Sequence, residues 1–166
     1  MIRWLGVLAR LVVGGVWIWA GLAKLPHPDT SVSAVRAYQL LPTGIADTVG
    51  QVLPMVEVVI GACLVLGLLI RFSAVVSALL MVAFLIGIIS VWSRGIEINC
   101  GCFGNGGPNP NASRQYPWEI ARDTGLLLAS LFLAWRPRTP LALDNLLFPP
   151  LESSYETEED HVEAKS

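Results

Sequence analysis

Long apolar runs with few interruptions dominate this chain, and polar residues gather between them. Four windows approach or reach the roughly 20 residues that a helix needs to cross a bilayer: 4–25, 46–70, 72–92 and 117–135. The first is broken only by Arg10 and Lys24, the second holds Pro54 and Glu57, and the third carries no charge. The fourth begins with Trp118, Glu119, Arg122 and Asp123 and becomes wholly apolar only over 124–134, so its first turns belong at the interface. The first window is longer than the apolar stretch of a signal peptide, and no small-x-small cleavage site follows it. It reads as a retained anchor. Arg71, between the second and third windows, leaves room only for a tight turn.

Between the first two spans, Asp29 to Leu41 alternates apolar residues with Arg36 and Tyr38. This suits a short interfacial helix, capped by Asp29 or Ser31, ended by Pro42 and able to lid a site. Past Arg136, prolines 137 and 140 stop any helix, residues 141–148 suit the inner membrane surface, and Pro149-Pro150 opens an acidic tail. That tail has the composition of a disordered segment. The pattern predicts an all-α protein: a four-helix transmembrane bundle over residues 1–136, with a short interfacial helix, followed over 137–166 by a proline-containing extension and a disordered acidic tail.

Composition supports the membrane reading. Hydrophobic residues make up 54% of the 166 and charged residues 14%, a balance that excludes an ordinary soluble domain. The net charge of -2 comes from the tail, where Glu152, Glu156, Glu158, Glu159, Asp160 and Glu163 fall. There is no nucleic-acid footprint. Four spans put both termini on one side of the membrane and the 24–45 and 93–116 loops on the other. Arg71 in the shortest loop, with Arg136 and Arg138 directly after a span, assigns the termini to the cytoplasm by the positive-inside rule.

The chemistry sits in the second of those outer loops. Cys100-Gly101-Cys102-Phe103-Gly104 places two thiols one residue apart on a glycine-rich backbone, where a disulfide would close a very small, strained and labile ring. Three readings follow from the residues: a redox pair at the outer mouth of the bundle, a static staple or two packed thiols, or a metal site. A metal is the least supported, because Cys63, His27 and His161 are the only other cysteine or histidine residues in the chain. Cys63, two-thirds along the second span, reads as a small hydrophobe. Glu57 is costly within a span. Counting helix rise places it near the depth of Arg10, which predicts an ion pair, with a proton relay or a polar contact to a quinone headgroup as the functional alternatives. Arg122 or Lys24 beside the loop would lower a thiol pKa. The competing reading of Arg122 is an interfacial pair with Glu119 at i,i+3.

The Gly21-Leu22-Ala23-Lys24-Leu25 helix end, Tyr38-Gln39-Leu40-Leu41-Pro42, Leu53-Pro54 followed by Glu57, the C-G-C-F-G loop and Trp118-Glu119-Ile120-Ala121-Arg122-Asp123 together resemble the MauE branch of the DoxX-like membrane proteins. The resemblance spans residues 5–135 and implies a multi-pass inner-membrane protein tied to thiol redox. MauE proteins are associated with maturation of the disulfide-rich methylamine dehydrogenase beside a thioredoxin-like partner, and other DoxX-like members with quinone-coupled sulfur oxidation. Carried onto this chain, it implies that Cys100 and Cys102 exchange disulfides on the loop backbone of Gly101, Phe103 and Gly104. Lys24, Glu57, Arg122 and Asp123 would line the polar centre, with Arg10 in support. The expected activity is thiol-disulfide oxidoreduction with an extracytoplasmic thioredoxin-like or maturing partner, coupled to quinone, and without a metal. The alternatives are a non-catalytic membrane scaffold for a soluble oxidoreductase and a quinone-linked sulfur-compound oxidase subunit.

Overall fold

A computed structural model describes residues 2–102 and 106–135. Phe103, Gly104, the proline-containing extension and the acidic tail lie outside the described residues. The order is α1 (Ile2–Lys24), α2 (Pro28–Ala37), α3 (Thr43–Leu66), α4 (Ile70–Ser93), β1 (Ile98–Cys100), β2 (Gly106–Pro108) and α5 (Ala112–Trp135). The architecture is all-α, a bundle of four long helices with α2 laid across one end. α1, α3 and α4 are long and apolar enough to cross a membrane; α5 matches them in length but not in apolarity.

Packing follows the small residues. α1 lies mainly on α3 and α4 mainly on α5, while α1 with α5 and α3 with α4 close the ring. A Cβ at Gly14 would lie 2.9 Å from the Gly61 carbonyl, and one at Gly61 would lie 2.7 Å from that of Gly14. Glycine is what lets these two backbones approach so closely, the usual device where lipid gives helices no hydrophobic reason to associate. The outer surface is apolar, with Trp19, Met55, Val59, Phe72, Leu79, Ile86 and Leu128 all exposed. The interior holds Arg10, Lys24, Glu57, Ser73, Ser77, Asp123 and Ser130 beside its hydrophobic core. Apolar outside and polar inside is the distribution expected of a protein dissolved in lipid.

Several boundaries differ from the sequence reading. The turn between the second and third spans is made by Gly67 to Leu69, and Arg71 falls in the first turn of α4. Gly67 takes φ +73, and the Leu68 amide donates to the Cys63 carbonyl at 2.8 Å, closing α3 with a glycine C-cap. α2 has no side-chain cap from Asp29 or Ser31. It starts with Pro28 at its first position after His27, and ends at Ala37, well before Pro42. The two-stranded hairpin around the cysteine loop has no counterpart in the sequence reading.

Candidate functional site

The hairpin fixes the first sulfur. β1 and β2 pair antiparallel, with Cys100 opposite Gly106. The Tyr116 hydroxyl, at the start of α5, accepts from the Ile98 amide at 3.1 Å and donates to the Ile96 carbonyl at 2.8 Å. Asn109 Nδ2 donates to Asn99 Oδ1 at 2.8 Å. Beyond β1 the chain turns through Gly101 at φ +70, a left-handed conformation that glycine adopts without strain. The turn folds Cys102 back, so that its amide donates to Cys100 Sγ at 3.4 Å. Both cysteines are free thiols.

α2 lies over this turn. A Cβ on Gly101 would come within 2.7 Å of the Ala34 Cβ. The Tyr38 hydroxyl, just past α2, donates to the Cys100 carbonyl at 2.7 Å, and the Arg94 guanidinium donates to the Tyr38 carbonyl. The two sulfurs therefore differ in environment: Cys102 is buried and Cys100 keeps partial exposure. The hydrogen bond from the Cys102 thiol holds Cys100 below the ordinary thiol pKa, against the opposing effect of burial. The same hydrogen bond and then burial push Cys102 well above that value. The nearby Glu119 carboxylate acts against the lowering at Cys100, raising the Cys100 pKa through its charge.

Beneath Cys102 lies a cavity of about 10 Å³, lined by Trp17, Phe84, Glu57, Cys102, Arg122 and Asp123. That is room for one water. Lys24 Nζ donates to both Glu57 oxygens, at 2.6 and 2.8 Å, and lies 5.7 Å from the centre of the Phe84 ring. Arg122 Nε donates to Asp123 Oδ1 at 2.9 Å. Asp123 Oδ2 is buried and has no hydrogen bond among the described residues.

The molecule thus sets a dithiol at one end of a membrane bundle, above a buried polar chamber. The family described as Methylamine utilisation protein MauE matches residues 2–136. The chain belongs to the MauE family. The Methylamine utilization protein MauE of Paracoccus denitrificans is 32% identical over 135 residues, covering 81% of this chain and 69% of that protein. No solved structure matches the chain. This MauE-family chain is a membrane protein.

The MauE-type positions picked from sequence converge only in part. Cys102, Glu57, Arg122 and Asp123 share the cavity, and Lys24 joins them through Glu57. The expected Glu57 pair with Arg10 is replaced by one with Lys24. Gly21 packs against Pro54 and Val58, which sets the end of α1 level with Glu57. Arg10 is fourteen residues earlier, roughly 21 Å along the helix. It is buried toward the opposite end of the bundle. Arg122 pairs with its neighbour Asp123, and Glu119, one turn earlier on α5, interacts electrostatically with both Arg122 and Asp123. Sequence reasoning gave no functional role to Glu119 or to Phe84. The i,i+4 spacing of Glu119 and Asp123 was the available signal, since it puts both carboxyl groups on one face of α5.

Proposed function

We propose that this MauE-family protein exchanges disulfides with an extracytoplasmic protein, thioredoxin-like or itself maturing, in the service of methylamine utilisation. The observation that carries this reading is the asymmetry of the dithiol. Cys100 is the reachable sulfur, and its lowered pKa favours the thiolate, the form that attacks. Cys102, buried above the polar cavity, is the resolving sulfur. When the Cys100 thiolate attacks a partner disulfide, a mixed disulfide forms and one partner thiolate leaves. Cys102 then attacks Cys100 Sγ, the Cys100–Cys102 bond forms, and the second partner thiolate leaves. Two electrons pass to the partner, and the reverse sequence oxidises a partner dithiol.

The orientation that serves this chemistry puts the termini in the cytoplasm and the cysteine loop outside the inner membrane, in an oxidising compartment. For a quinone acceptor, the residues present offer a suitable place. An apolar groove of about 270 Å³ is lined by Val35, Tyr38, Leu53, Leu80, Phe84 and Gly87, and Phe84 also borders the cavity under Cys102. A quinone held there would supply a two-electron sink for the dithiol.

The test is the thiol state in intact cells, read by alkylation with a mass tag before and after reduction. An exchanger shows a mixture of dithiol, disulfide and partner adducts, with the adducts lost in Cys100→Ser. A single fixed state, unchanged when the downstream enzyme is being made, would leave only the scaffold reading.

A further inference from the structure

A buried thiol whose proton is held tightly cannot attack a mixed disulfide until something takes that proton. Cys102 is in this position, 7% exposed and hydrogen-bonded toward Cys100. The charged and titratable groups around it and around Asp123 come from α1 (Lys24), the end of α2 (Tyr38), α3 (Glu57) and α5 (Glu119, Arg122 and Asp123), with Cys100 on its own loop. Two of these are carboxylates that share its cavity. Both oxygens of Glu57 accept from Lys24. Asp123, 2% exposed, has Oδ1 held by Arg122, while Oδ2 accepts no hydrogen bond among the described residues.

We propose that Asp123 is the catalytic base of the resolving step, accepting the Cys102 proton through a single water in the cavity that the two residues share. This rests on the disulfide-exchange reading and assigns the group that completes it. With oxidised glutathione as the partner, the Cys100 thiolate attacks one sulfur, the glutathione disulfide breaks, and the first glutathione thiolate leaves and is protonated by water. Asp123 then takes the proton of Cys102, whose thiolate attacks Cys100 Sγ. The Cys100–Cys102 bond forms, the mixed disulfide breaks, and the second glutathione leaves, taking the proton that Asp123 releases. The dithiol loses two electrons and glutathione disulfide gains them. Arg122 anchors one oxygen so that the other stays available for this transfer.

The experiment follows the two steps separately in the purified full-length protein, with oxidised glutathione as the probe and timed acid quench before mass analysis. Adduct formation reports attack by Cys100, and adduct decay reports resolution by Cys102. In the unmodified protein, decay should be nearly constant between about pH 6 and 8, because the base and not bulk hydroxide removes the proton. Asp123→Asn should leave adduct formation within about threefold, slow decay about a hundredfold at neutral pH, and make decay rise about tenfold per pH unit. Asp123→Glu should restore the flat profile at a reduced rate. A purely structural Asp123 would change stability and both steps together. If Asp123→Asn resolves at the parent rate with the parent profile, the proposal is overturned. If Asp123→Asn does not fold, decay in the unmodified protein that climbs tenfold per pH unit overturns it instead. No Cys100 adduct in Cys102→Ser would count against disulfide exchange itself, a different failure from an adduct that resolves without Asp123.

Discussion

Two polar clusters lie inside this bundle, and they are built to opposite standards. In the first, Trp17 Nε1 donates to Ser77 Oγ at 2.7 Å, Ser77 meets Ser130 Oγ at 2.9 Å, and Ser130 reaches the Leu126 carbonyl at 2.9 Å. That chain ties α1, α4 and α5 together with every hydroxyl engaged, the condition under which buried polar groups stabilise a fold. The second cluster, under α2, joins two thiols, the Lys24–Glu57 pair and the Arg122–Asp123 pair, yet leaves Asp123 Oδ2 and Glu119 Oε2 without hydrogen bonds among the described residues. A structural cluster has no reason to leave oxygens unmatched in a buried site. A site that must accept protons and change its bonding has one.

The contrast between the clusters can be broken first at the Lys24–Glu57 pair. Lys24→Met strands a buried carboxylate and should cost about 3–5 kcal/mol in unfolding from micelles, with a large part recovered when Glu57→Leu is added. Equal losses in the single and double variants would contradict the pairing. Ser77→Ala leaves the Trp17 N–H without its acceptor and should cost about 1–3 kcal/mol, while alkylation rates at Cys100 and Cys102 stay unchanged. Any change in those rates would show that the two clusters are coupled and not independent.

Gly101→Ala places a side chain at φ +70 and against Ala34. It should cost about 1–3 kcal/mol and, by lifting α2, should speed alkylation of Cys102 severalfold under native conditions. Unchanged Cys102 protection would show that α2 is not the cover. The mildest test changes only pH. Because Cys100 sits below and Cys102 above the ordinary thiol pKa of about 8.5, iodoacetamide should modify Cys100 with a midpoint under that value and Cys102 with one above it. As pH falls from 8.5, Cys102 loses its thiolate first. Reversed midpoints would exchange the roles of the two sulfurs.

Much of this molecule was legible in the chain. Hydropathy located α1, α3 and α4, because a span must be apolar whatever its neighbours, and located α5 by the apolar run of its second half. Cys100 and Cys102 announced themselves by spacing, and Lys24, Glu57, Arg122 and Asp123 by being charges in or beside spans. What could not be read was register. The Glu57 partner depends on how far α1 slides along α3, and that is set by Gly21 meeting Pro54 and Val58, contacts that no helix-rise count contains. The hairpin escaped because three-residue strands carry too little alternation to stand out. The different burial of Cys100 and Cys102 depends on the left-handed Gly101 turn and on α2 settling over it, both products of tertiary packing.

Cys100 as the sulfur that meets the partner, and Cys102 as the one that releases it, is the division of labour from which the proposed chemistry follows. The direct measurement is adduct capture by purified Cys102→Ser and Cys100→Ser proteins mixed with a thioredoxin-like protein in its disulfide form. Cys102→Ser should accumulate a reductant-sensitive mixed disulfide mapped to Cys100, and Cys100→Ser should form essentially none. Equal capture by both variants, or by neither, would contradict that division.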